Sequence, residues 1–170
     1  MELDVKYAEL LDYRKQYAEL EKGVRERLVT GINDLRMVLL TEMNMPESSP
    51  DSEGRRWRHI VIREPDQDQG AARELPFAED IVLTSSGAVA FVLEINLISD
   101  TEVYPIWIYL GAKDSGNSTF FALWDVPGAY QEKPKNWRSM EGIIREIDLE
   151  LAKYFAHNPA SGDRHNTSIV

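Results

Sequence analysis

Apolar residues recur at spacings of three and four along the first quarter of the chain: Leu10, Tyr13, Tyr17, Leu20, Val24, Leu28, Ile32, Leu35 and Leu39. That period places them on one face of a helix predicted over residues 3–43. Glu9, Arg14, Lys15, Glu19, Glu21, Lys22, Arg25, Glu26 and Arg27 fill the intervening positions and supply a solvated opposite face. Unbroken, such a helix reaches roughly 60 Å at about 1.5 Å per residue. A globule built from this length of chain is only about 35–40 Å across. Two outcomes resolve the mismatch. The helix breaks at Gly23 or Gly31 and folds back as a hairpin, or its first half projects. Projection leaves Leu3, Tyr7, Leu10 and Tyr17 wet, so a homodimer through residues 3–22 is the favoured expectation.

Residues 44–54 (NMPESSPDSEG) are polar and rich in proline and serine, as a linker or mobile loop would be. Trp57 to Ile62 reads as a short strand, and residues 64–76 as a second polar loop. From residue 77 the period shifts to two. Ile81–Thr84, Val89–Ile98, Val103–Leu110 and Thr119–Val126 are predicted strands, joined by the short turns 85–87, 99–102 and 113–117. Connections this short suit antiparallel pairing, because parallel strands need long crossovers. Pro105 implies that its strand lies at an edge or begins late. After a loop over 127–136, a closing helix is predicted from about Trp137 to Ala156. Ile143, Ile144, Ile147, Leu151, Tyr154 and Phe155 form its apolar side, Asn158-Pro159 stops it, and 158–170 read as a disordered tail.

The expected fold is therefore a single α+β domain over residues 1–157. It has a long N-terminal helix, a five-stranded, mainly antiparallel meander and a C-terminal helix, with both helices on one face of the sheet. The stretch VAFVLEINLI, residues 89–98, shows what the other face carries. Alternation points Phe91, Leu93, Ile95 and Leu97 one way, toward the helices, together with Ile106, Ile108 and Leu110 of the next strand. Glu94, Asn96, Trp107 and Tyr109 then share the opposite face, expected to be wet and to be joined by Asp125.

Composition narrows the function classes. The chain has 170 residues and no cysteine. It is long enough for a core without disulfides, and thiolate chemistry and Cys-ligated zinc are excluded. His59, His157 and His165 are scattered, which offers no zinc set, and His59 within RRWRH reads as a surface or edge residue. No Gly-rich phosphate loop and no nucleophile elbow occur, so no cofactor is expected. The opening MELDVKYAELLDYRKQ is too charged for a signal peptide, and no apolar run is long enough to span a membrane. A cytoplasmic protein is expected. The net charge of −10 is uneven, because residues 76–132 hold eight acids against the single base Lys113. Such a field disfavours nucleic acid and favours a basic protein partner.

One arrangement resembles a known catalytic family. Asp80 followed across a hairpin by Glu94-Ile95-Asn96 is similar to the acid and Glu-x-Lys pattern of restriction-endonuclease-like nucleases. There, two carboxylates hold Mg²⁺ beside the scissile phosphate. The resemblance covers residues 76–98 and departs at Asn96, which stands where the lysine would stabilise the developing phosphate anion. It implies a metal-dependent enzyme, one form of an alternative that also includes a small-molecule sensor with a pocket between the sheet and residues 64–76 or 127–136. The leading expectation is non-enzymatic. It is a protein-binding module, such as an immunity-like inhibitor, chaperone or adaptor, taking a basic partner through Glu94, Asn96, Trp107, Tyr109 and Asp125.

Overall fold

A computed structural model describes residues 2–66, 70–75, 81–84, 87–124 and 136–156 of the chain. The helical period of the N-terminal quarter is realised as one element, α1 (Glu2–Glu42), 41 residues without a break. Asn44 ends it. Its backbone adopts φ 52°, and Met45 N–H donates to the Leu40 carbonyl at 2.9 Å, a left-handed cap that closes the last turn.

Neither glycine is a hinge. At Gly31 the helix lies tight against the sheet, since a Cβ there would lie 2.1 Å from Thr119 Oγ1 and 2.6 Å from its Cβ. A Cβ on Gly23 would meet only the end of the Arg27 side chain, at 3.3 Å. The two positions therefore have opposite expected responses. Gly23→Ala should stabilise by about 0.5–1 kcal/mol, the helix-propensity gain. Gly31→Ala should destabilise by about 1–3 kcal/mol, because overpacking outweighs the same gain. Thermal denaturation of the two variants checks the signs, and a stabilised Gly31→Ala would show that the contact is not tight.

The segment expected as a linker is built into the structure. β1 (Ser48–Pro50) pairs antiparallel with β2 (Arg56–Arg58) as a two-stranded ribbon. Asp51 holds its turn, accepting hydrogen bonds from the backbone N–H groups of Glu53 and Arg55, both at 2.9 Å. The Trp57 indole donates to the same carboxylate at 3.0 Å. These bonds, the indole's foremost, draw the Asp51 carboxyl down to about 2. Gly54, at φ 79°, supplies the left-handed turn residue.

The main sheet comprises β3 (Ile60–Asp66), β4 (Gly70–Glu74), β5 (Ala88–Ile98), β6 (Val103–Asp114) and β7 (Thr119–Leu123). Its order is β4-β3-β5-β6-β7, with every described pair antiparallel. Two expectations are corrected here. Ile81–Thr84 is not a strand, and the polar stretch expected as a loop over 64–76 contributes β4 and the end of β3. The chain therefore crosses from β4 past β3 to β5, rather than running as a simple meander. Pro105 sits within β6, opposite Asn96. Because Asn96 N–H donates to the His59 carbonyl on the β3 side, the pair is of the non-hydrogen-bonded kind. The missing N–H of Pro105 thus faces the side of β6 that β7 reaches only from Leu110 onward.

α2 (Met140–Ala156) closes the described fold. Ser139 caps it, its hydroxyl accepting from Gly142 N–H at 3.3 Å. Trp137, expected to begin this helix, precedes it. Arg138 instead forms a bridge with Phe121. The core lies on one face of the sheet: Leu28, Ile32, Leu35 and Leu39 of α1 and Ile143, Ile147 and Leu151 of α2 pack with Phe91, Leu93, Ile95, Ile106, Ile108 and Leu110. The tail expected from residue 158 lies outside the described residues. No described helix is long and apolar enough to cross a membrane.

Candidate functional site

The sheet face turned away from the helices brings together four of the five residues expected to bind a partner, but it does not leave them open. Glu94 is 8 % exposed, Asn96 4 % and Tyr109 4 %, and Trp107 is half-buried. Asp125 lies outside the described residues. The expectation of a wet face is therefore corrected, and local packing explains it. Val92, Tyr109 and Trp124 form a second small core, with Ala90 and Trp107 against it. Gly111 makes room for this core: a Cβ there would sit 3.0 Å from the Trp124 ring and 3.3 Å from that of Trp137.

Glu94 is the centre of a closed polar cluster. Register places β3 beside β5 with Val61 opposite Glu94 and Arg63 opposite Val92, so Arg63 reaches Glu94 along the diagonal. Its Nε donates to Glu94 Oε2 at 2.7 Å and its terminal nitrogen to Oε1 at 3.2 Å, a bidentate, charge-assisted pair. From β6, directly opposite, Trp107 Nε1 donates to Oε2 at 2.9 Å. The Asn96 amide donates to Oε1 at 3.2 Å and to the Arg58 carbonyl at 2.9 Å. Burial pushes the Glu94 carboxyl up, but the hydrogen bonds from Arg63, Trp107 and Asn96 and the nearby guanidinium charge outweigh it and hold it below the ordinary range.

His59 extends this cluster to the ribbon. Expected at the surface, it is buried. Its Nδ1 lies 3.1 Å from the Asn96 carbonyl and its Nε2 2.7 Å from Ser49 Oγ. A tautomer protonated at Nδ1 satisfies both, donating to the carbonyl and accepting from the hydroxyl. The cluster therefore ties β1, β3, β5 and β6 together.

As chemistry, this arrangement is occupied. Among the described residues, the polar groups that touch the Glu94 carboxylate (Arg63, Trp107 and Asn96) are all donors, which leaves it an acceptor with its oxygens already used. The nuclease-like pattern is not assembled either: Asp80 lies outside the described residues, and Ile81–Thr84 forms no strand beside β5. Among the described residues, no group of three His, Asp or Glu side chains is placed to hold a metal ion.

Two other features are open. A groove of about 670 Å³ runs between Gly23–Asp34 of α1, the β6–β7 turn at Asp114 and Asn117–Thr119, and the start of α2 at Ser139 and Met140. Arg27 and Asp114 pair within it, the guanidinium donating at 2.8 and 3.1 Å and lowering the Asp114 carboxyl. Of the segments against which a pocket was expected, residues 67–69, 76 and 127–135 lie outside the described residues, and 64–66 and 70–74 belong to β3 and β4. The second feature is the first half of α1. Tyr7, Leu10, Leu11, Tyr13, Tyr17 and Leu20 are between 40 % and 69 % exposed, on a helix whose contribution to the core begins only at Val24.

No protein-family model, curated protein or solved structure matches the chain.

Arg63, His59 and Ser49 were not singled out from sequence as parts of one site. A partial signal existed for Arg63, which shares strand parity with Val61. Only the β3–β5 register turns that parity into a contact with Glu94.

Proposed function

We propose that the protein is a non-enzymatic protein-binding module of the adaptor kind, docking through the projecting half of α1. The observation that carries this is the row of large apolar and aromatic side chains held in water on a continuous helix. Contiguous exposed apolar surface of that size is unusual on a protein that acts alone. Tyrosine concentrates binding energy at interfaces because it adds area with few torsions to freeze. An amphipathic helix is also a common recognition element, read through anchors three and four residues apart.

A basic partner at the sheet face would meet the half-buried indole of Trp107 and a Glu94 carboxylate already paired with Arg63, so the helix offers the better docking surface. Affinity capture with the full chain, a chain lacking residues 2–22 and Trp107→Ala distinguishes the two surfaces. Binding is expected to be lost on truncation and retained in Trp107→Ala. The opposite pattern would return the docking surface to the sheet.

A second reading, a small-molecule sensor, draws on the groove around Arg27 and Asp114, which offers a cation, a carboxylate and hydroxyls to a polar ligand. A ligand bound there would raise the melting temperature by mass action. A thermal-shift screen of nucleotides and metabolites tests it, and a hit unaffected by Arg27→Ala would place the ligand elsewhere.

A further inference from the structure

We infer that the projecting half of α1 is covered by a second copy of this chain, the two helices running antiparallel over residues 7–23. This rests on the docking role proposed for the helix and names its occupant.

Area is the first argument. Of the exposed side chains named above, Leu10, Tyr13, Tyr17 and Leu20 lie on one stripe of the helix. With roughly 150–250 Å² for each tyrosine, this set offers on the order of 500 Å² per copy, close to the ~500 Å² per partner that a specific interface needs. A self-complementary patch meets that size twice with one surface, as a two-fold dimer requires.

Spacing is the second. Leu10, Tyr13, Tyr17, Leu20 and Val24 alternate steps of three and four, the seam of a two-stranded coiled coil.

Direction follows from the fold. The same stripe continues into Leu28, Ile32, Leu35 and Leu39, which face this chain's own sheet. In a parallel pair, both sheets would lie between the helices at the same level and collide. In an antiparallel pair, each sheet lies beyond the other helix's N-terminus. Charge agrees with this direction. With Leu10 opposite Leu20, antiparallel pairing sets residues 2–12, four acids against Lys6, beside residues 18–28, three acids against three bases, whereas parallel pairing sets the two acidic stretches side by side. The register that fills the overhang places Leu10 opposite Leu20 of the second copy and Tyr13 opposite Tyr17.

The chain contains no cysteine, so single cysteines report proximity cleanly. Analytical ultracentrifugation at tens of micromolar should give twice the 19.5 kDa of one chain. The double variant Tyr13→Glu/Tyr17→Glu should give the single mass with its far-ultraviolet circular dichroism retained. Under mild oxidation, Leu10→Cys alone should not cross-link, because in this register its two copies lie about 15 Å apart along the axis, beyond disulfide reach. Leu10→Cys mixed with Leu20→Cys should cross-link. Self-linking of Leu10→Cys would overturn the antiparallel pairing. A single-chain mass for the wild type would overturn the second copy as occupant, while leaving the helix's docking role to the truncation test above.

Discussion

Replacing Leu35 by alanine is expected to cost about 2–5 kcal/mol, the range for truncating a buried leucine. The same change at Leu20, fifteen positions earlier on the same helix, is expected to cost less than about 0.5 kcal/mol in dilute solution. The residue type, the helix and the stripe are shared, and only the surroundings differ. Leu35 is 0 % exposed and belongs to the core between α1 and the sheet. Its removal loses transfer free energy and leaves a cavity lined by groups that cannot fully collapse. Leu20 is 69 % exposed and leaves no cavity. Against a total stability of about 5–15 kcal/mol for an ordinary domain, the first variant should lose a large share of its resistance to urea and the second almost none. Urea midpoints at several protein concentrations make the comparison sharper. A Leu20→Ala penalty that grows with concentration is the linkage signature of a second copy on the helix. A Leu35→Ala midpoint equal to wild type would contradict the packing of α1 on the sheet.

The second large effect concerns the polar cluster. Arg63→Met removes the guanidinium from Glu94 and leaves a buried carboxylate with, among the described residues, the Trp107 and Asn96 donors. Orphaning one member of a fully buried ion pair costs about 3–5 kcal/mol. Because the Arg63 side chain is 31 % exposed, water screens part of that term, and about 2 kcal/mol is expected. The double variant Arg63→Met/Glu94→Leu should recover most of the loss, since matched apolar groups replace an ion pair with little penalty.

The pH dependence has a definite sign. The folded state holds the Glu94 carboxyl below its ordinary value, so protonation favours the unfolded chain. Its contribution is complete above about pH 4.3, the ordinary glutamate value, and fades as pH falls through the lower folded value. In Arg63→Met the burial that raises this carboxyl is less opposed, so the acid-induced loss should begin at a higher pH than in wild type. Acid titration of the two proteins by circular dichroism tests this. Coincident curves would mean that Arg63 does not set the charge state of Glu94.

The polar seam inside VAFVLEINLI thus has a structural reason. Glu94 and Asn96 tie neighbouring strands and the ribbon into one register, where an all-apolar face would let them slip. Strand parity alone was sufficient to place Glu94, Asn96, Trp107 and Tyr109 on one face, because side chains alternate whatever the partner strand is. Whether that face is wet depends on what lies over it. The Arg63 guanidinium and the Trp124 ring come from β3 and from the residue after β7, and periodicity says nothing of such neighbours.

The same division runs through the rest of the chain. The 3.6-residue period fixed the existence of both helices and the faces they bury, since a helix needs only its own residues to form its hydrogen bonds. Gly23 and Gly31 look alike in the sequence, and only Thr119, packed against the second, leaves room for a Cβ at one and none at the other. Ile81–Thr84 has the composition of a strand but joins no strand of the sheet, because β5 already has β3 on one side and β6 on the other. The polar β4 forms because the free edge of β3 offers backbone hydrogen bonds that do not depend on apolar alternation. Local pattern therefore determined which segments are helical and which way their side chains point. Pairing, burial and the length of α1 left overhanging were decided by tertiary structure, because each is a property of two segments meeting and not of either one.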